Sequence, residues 1–132
     1  MINIYVMALA CDVLICVMPG GAGTHHIVNK EVIKALGPKG TLINVGRVWS
    51  VDEAALLQVL HNGKLGWAGL EVFEDEPNVP SALCAMTNVV LLPDVGSAIM
   101  ETRAAISALV RENLLCHKLA GRVLTPVPET KF

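Results

Sequence analysis

The sequence predicts an α/β fold built on a parallel sheet. Three observations carry this expectation. Four short runs rich in Val, Ile and Leu each stop at or beside Gly, Pro or a polar turn, at Asp12–Met18, Thr41–Val45, Trp67–Val72 and Asn88–Leu92. Helical patterns with capping residues lie between or beyond most of them. The spacing is short, as in successive βαβ units, and no internal repeat or low-complexity tract interrupts it.

The elements follow in order. Met1–Met18 has only Asn3 and Asp12 as clearly polar residues, which reads as a strand or short helix, a loop, and then a strand over Asp12–Met18 buried on both faces. Pro19-Gly20-Gly21 ends that strand. Asn29 caps a helix over Lys30–Leu36, stopped by Gly37-Pro38. Thr41–Val45 is the second strand. Ser50 and Glu53 have capping-box spacing and open a helix to about His61, closed by Asn62-Gly63. Trp67–Val72 is the third strand. Residues 74–88, with Pro77 and Pro80, read as a loop. Asn88–Leu92 is the fourth strand. Ser97 is expected to cap a long helix to about Ala120 with an apolar stripe at Ile99, Ile106, Leu109, Val110 and Leu114. Pro126 and Pro128 mark the tail.

Composition excludes several classes. The 132 residues hold ten Lys and Arg against twelve Asp and Glu, a net charge of -2. No basic excess draws a phosphate backbone, so a nucleic-acid partner is not expected. Apolar residues make up 53% and charged residues 17%, against a usual charged share of about 25%. That excludes disorder and hints at surface covered by another segment. No stretch reaches the roughly 20 apolar residues of a membrane span. Ala8-Leu9-Ala10 has the form of a signal-peptidase site, but no Lys or Arg precedes the apolar run. Cys11, Cys16, Cys84 and Cys116 have no metal or redox spacing and read as reduced core thiols of a cytoplasmic protein.

In parallel sheets, ligands sit beyond the carboxyl ends of the strands. The residues there are Pro19–Thr24, Gly46-Arg47, Glu74–Glu76 and Asp94–Gly96. Arg47 can grip a carboxylate through two parallel hydrogen bonds, or be a surface residue near a helix start. Glu76 belongs to an acidic cluster that alone reads as a solvated loop. Asp94 can be a carboxylate favoured at a helix N-terminus. Gly20-Gly21-Ala22-Gly23-Thr24 lacks both the third Gly of G-x-G-x-x-G and the Lys-Ser/Thr pair of a P-loop, so a flexible βα loop is expected. His25-His26 has no companion cluster at metal-ligand spacing, and no metal is expected. His61 and His117 are expected at or near the surface.

Taken in order, several motifs resemble one family. Asn44-Val45-Gly46-Arg47, Gly69–Pro77 and Asn88–Ser97 are similar to segments of the D-isomer-specific 2-hydroxyacid dehydrogenases, nearest to plant-type hydroxypyruvate and glyoxylate reductases. His26–Val32 and Leu124–Val127 fit the same pattern, so the resemblance spans Ala8 to Val127. It implies part of a Rossmann-type, doubly wound parallel sheet: a partial NAD(P)-binding domain over residues 1–120 and a tail over 121–132 returning to a substrate domain. It implies NAD or NADP as cofactor and a small 2-oxo acid, such as hydroxypyruvate or glyoxylate, as substrate. By position Arg47 would hold the substrate carboxylate and polarise the ketone. Glu76 would support a proton-donating His, whose place Asp94 occupies. Glu71 falls where the family has an Asp that contacts the nicotinamide amide. Val45, Gly46 and Gly96 would line the nicotinamide, and Pro19 the adenosine side.

The sequence departs from the family pattern in three respects. The segment that would carry the G-x-G-x-x-G loop and the first half of the sheet is expected to be missing from these residues, so the cofactor is not expected to bind this chain alone. Asp94 replaces the proton donor; with a reference pKa of about 3.9 it holds no proton at neutral pH. Two carboxylates at Asp94 and Glu76 sharing one proton are the competing reading. Val48-Trp49 and Glu71 replace smaller residues and crowd the cofactor pocket. The expected function is thus NAD(P)H-dependent reduction of a 2-oxo acid by descent, with this chain inactive alone. The alternative is a non-catalytic homologue acting as an interaction module, or a gene-model fragment. A homodimer, or pairing with a full-length homologue, is expected through the open apolar edge of the first strand.

Overall fold

A computed structural model of the chain describes residues 3–127, and the tail beyond Val127, including Pro128, lies outside the described residues. The chain divides into two units, Met1–Asp94 and Val95–Phe132.

In the first unit, four parallel strands lie side by side in chain order: β1 (Val13–Cys16), β2 (Thr41–Asn44), β3 (Trp67–Leu70) and β4 (Val89–Leu91). Val13 pairs with Thr41 and Thr41 with Trp67, so the carboxyl ends are level. Right-handed crossovers that step in one direction across a sheet place their helices on one face. The crossover helices α2 (Lys30–Ala35) and α3 (Glu53–His61) accordingly pack together, and α1 (Ile4–Leu9), which precedes β1, packs on α2. Their apolar sides, Ala8, Val32, Ile33, Leu56 and Val59, join Leu14, Cys16, Leu42, Ala68 and Leu70 of the sheet in one core.

The opposite sheet face is open. Val13, Ile15 and Val17 are 48%, 54% and 69% exposed, and Trp67 and Val90 also face outward. The expectation that β1 is buried on both faces is therefore corrected: only Leu14 and Cys16 are buried. A continuous apolar run cannot show which of its two faces will find partners. The expected core thiols need the same correction. Cys16 is buried, Cys11 and Cys116 are half-buried, and Cys84 is exposed on α4 (Ser81–Cys84), a turn of helix inside the expected 74–88 loop. Burial pushes the Cys16 thiol up to about 11, so it carries no thiolate at neutral pH.

Two caps also differ from expectation. Asp52, not Ser50, caps α3, its carboxylate accepting from Ala55 N at 2.8 Å. Ser50 sits in a short 3-10 turn and donates its hydroxyl to Arg47 O at 2.7 Å. In the second unit, α5 (Met100–Ala120) starts after Ile99, with no side-chain cap from Ser97, and ends at left-handed Gly121. Asn113 then ties the tail back: its Oδ1 accepts from Leu124 N and Thr125 N at 2.9 and 3.0 Å. The tail meets the expected stripe at Leu109, Val110 and Leu114. No described helix is long and apolar enough to cross a membrane.

Candidate functional site

The loop after β2 is set by Asn44. This residue is 2% exposed, and its Oδ1 accepts from Gly46 N at 3.2 Å, turning the chain sharply. Val45 N donates to Cys16 O at 3.1 Å, which holds the turn against the end of β1. Gly46 fits there because a Cβ would come within 3.1 Å of the carbonyl oxygens of Cys16 and Met18.

Arg47 leaves this turn with its stem lying over Gly20, whose missing Cβ would stand 3.3 Å from Arg47 Cγ. Its Nη1 donates to Gly46 O at 3.0 Å. Among the described residues that is its one side-chain bond, so most of its five N–H donors are unclaimed. Arg47 lines a cavity of about 660 Å³ with Gly20, Gly21, Ala22, His25 and Trp49. Of the crowding pair, Trp49 is 60% exposed in this cavity. The side chain of Val48 lies outside the description.

A separate cavity of about 250 Å³ lies at the ends of β3 and β4. Glu71, Glu76 and Asp94 all line it, with Phe73 and Pro93 among its apolar walls. Glu76 Oε1 accepts from Phe73 N at 2.9 Å, which closes its loop. Asp94 is exposed and has a left-handed backbone, φ 49°. Glu76 and Asp94 share this cavity without a hydrogen bond between them.

Of the expected site residues, the structure thus brings Glu71, Glu76 and Asp94 to one cavity and Arg47 to another. Pro19 is exposed next to Gly20, which lines the Arg47 cavity, and its carbonyl accepts from Thr24 Oγ1 at 3.1 Å. Gly96 belongs to the second unit.

Sequence reasoning missed one cluster. His26 Nε2 lies 2.9 Å from Glu74 Oε1. The same oxygen accepts from Glu53 N at 3.2 Å, and Glu53 Oε2 accepts from Glu74 N at 3.1 Å. Burial, followed by the nearby Glu74 and Asp75 charges, raises the Glu53 carboxyl above its ordinary value. His25 stacks on His26 and tilts against Trp49. The only signal in the sequence was the acidic run at 74–76 and the His pair, and neither indicates the other.

Comparison with known proteins places this geometry. The profile of the family described as D-isomer specific 2-hydroxyacid dehydrogenase, NAD binding domain, matches residues 3–96. Hydroxyphenylpyruvate reductase of Plectranthus scutellarioides is 51% identical over 121 residues, 92% of this chain and 39% of that protein. A glyoxylate/hydroxypyruvate reductase A of Arabidopsis thaliana is 49% identical over the same shares of the two chains. A solved NADPH-dependent glyoxylate/hydroxypyruvate reductase of Sinorhizobium meliloti, in complex with NADP and malonate, superposes with a TM-score of 0.94 at 55% identity. That match covers 98% of this chain and 41% of the other. The chain therefore spans about 39% of the length of the curated relatives it matches.

Proposed function

Because the chain belongs to the D-isomer-specific 2-hydroxyacid dehydrogenases, with a Rossmann-type NAD(P)-binding fold, we propose that it forms the nicotinamide end of an NAD(P)H-dependent reductase of small 2-oxo acids. Its relatives' names make glyoxylate and hydroxypyruvate the first substrates to test. The observation that carries the reading is Arg47: a guanidinium with unclaimed donors, held at a strand's carboxyl end in an open cavity.

The residues present fit one end of the cofactor. The Asn44–Gly46 turn presents exposed Val45 at the sheet end, and Glu71 lines the neighbouring cavity with a carboxylate able to accept an amide N–H. When bound, the reduced nicotinamide supplies hydride. Arg47 pairs with the substrate carboxylate through two N–H groups and places a third near the ketone oxygen, where negative charge develops. Trp49 and His25 line that space. Protonation of the new alkoxide is the weak point. By its place in the family pattern Asp94 takes the donor position and puts a carboxyl group where the family has an imidazole general acid.

The test is a chimera joining this chain to the N-terminal half of an active homologue. With Asp94 it should turn over hydroxypyruvate slowly. Asp94→His should raise kcat roughly 10²-fold, the lower end of general-acid effects. A chimera that is fast with Asp94 and slows on substitution would overturn the lost-donor account in favour of a shared proton with Glu76.

The open sheet face favours a second reading, an interaction module. Val13 and Ile15 on β1, with Val17 just past its end, give another chain an apolar surface and an unpaired edge. This reading expects a homodimer, or a complex with a longer homologue, on analytical ultracentrifugation. A monodisperse monomer alone and in such a mixture would rule it out.

A further inference from the structure

The Arg47 cavity is far larger than a carboxylate and a ketone require. Its volume is about 660 Å³, within the range usual for drug-sized ligands. Glyoxylate, the smallest 2-oxo acid, would leave most of it to water. Gly20, Gly21 and Ala22 line it with little more than backbone, whereas Trp49 and His25 line it with rings. Those two rings have centroids 5.6 Å apart and planes tilted by 54°, an arrangement aromatic pairs favour. Both are held in place. His25 stacks at 4.0 Å on His26, which Glu74 fixes. Trp49 O accepts from His26 N, and Ser50 Oγ closes the turn by donating to Arg47 O. Yet 60% of Trp49 is exposed, so its ring is free to take another. Trp49 also stands where the family pattern has a small residue, so this wall belongs to this chain rather than to the fold.

We propose that Trp49, with His25 beside it, is a specificity-determining residue that makes this cavity prefer acids carrying an aromatic side chain over small ones. The inference rests on the reading that Arg47 pairs with the substrate carboxylate. With the carboxylate on Arg47, a ring joined through one methylene to the 2-carbon enters the space that Trp49 and His25 line. There it leaves water and completes a cluster of three rings. A hydrogen or methyl group at the same place gains neither. The bare backbone at Gly20 and Gly21 gives the ring room, since a Cβ on Gly21 would meet nothing within 4 Å.

The test uses the 132-residue chain and two stable 2-hydroxy acids, D-phenyllactate and D-lactate, which differ only by a phenyl ring. NMR titration gives both affinities. The Arg47 Nε–H signal reports the carboxylate and the Trp49 indole N–H reports the ring, with Trp67 on the open sheet face as control. D-Phenyllactate should bind about tenfold tighter, as a favourable ring contact implies. Trp49→Ala should cut that preference to about threefold or less without changing the affinity for D-lactate, whereas Trp49→Phe should keep it. Arg47→Gln should weaken both acids about tenfold or more. Should Trp49→Ala unfold, the unmutated chain decides: D-phenyllactate should move the Trp49 indole signal through its ring current and D-lactate should not. A Trp49 signal that neither acid moves overturns the inference. Equal affinity for the two acids, with Arg47 shifted by both, also overturns it and leaves the Arg47 reading standing. No shift at Arg47 with either acid overturns both. A preference that survives Trp49→Ala, or a ring effect at Trp67 in place of Trp49, overturns the assignment to Trp49.

Discussion

His26 and Glu74, 48 positions apart in sequence, meet at 2.9 Å and tie together three loops at the carboxyl edge of the sheet. Glu74 also accepts the N–H of Glu53 at the start of α3, where the helix dipole favours a carboxylate. From the other side, His26 N donates to Trp49 O at 2.6 Å and Val28 N to Ser50 O at 2.9 Å. The segment carrying Arg47 is therefore clamped by a pair that does not touch the Arg47 guanidinium. Removing the clamp should loosen Arg47 while leaving the core intact. His26→Ala is expected to cost about 0.5–1 kcal/mol, because both partners are more than a third exposed. Urea unfolding measures this, and a loss above about 3 kcal/mol would mean that His26 supports the core instead.

Glu53 gives the fold a pH dependence of defined sign. Its carboxyl is held above the ordinary value of 4.5, chiefly by burial. The folded state therefore favours the protonated form. That contribution is complete below about pH 4.5 and is lost as pH rises through the folded value. Glu53→Gln keeps an oxygen for Glu74 N without the charge. The variant should match the parent chain near pH 4 and be more stable at pH 7, on thermal melts across that range. A gap that does not change with pH would contradict this assignment.

The two caps separate by mutation. Asp52→Ala removes the acceptor for Ala55 N and should cost about 1 kcal/mol. Ser97→Ala removes no cap bond, since α5 begins after Ile99, and should fall within about 0.5 kcal/mol. Denaturant midpoints of both variants decide the point. Equal losses would show that Ser97 caps α5 in solution.

The chain by itself should bind NADH and NADPH weakly. The 132 residues contain no G-x-G-x-x-G, and the glycines at 20, 21 and 23 precede α2 by too many residues for its amides to face a pyrophosphate. Cofactor fluorescence titration is the check. Weak millimolar binding of the ring alone is compatible with this expectation, whereas saturable micromolar binding of the whole dinucleotide is not.

Local pattern sufficed for much of this protein. Apolar runs bounded by Gly and Pro located all four strands, and Asn29 marked the start of α2, because propensity and capping act over a few residues. The sequence also put Arg47 and Asp94 just beyond strand ends, whereas Glu71, expected inside the third strand, lies just past its end at Leu70. Tertiary structure alone decided the rest. The three crossovers placed their helices on one side, leaving Ile15 open and Leu14 buried within one apolar run. It seated Glu71, Glu76 and Asp94 around one cavity and Arg47 in another, a division that depends on how parallel strands align. It joined His26 to Glu74 across 48 positions. Such contacts carry no local signature, because their energy is realised only after the loops have closed and the sheet has set the distance between them.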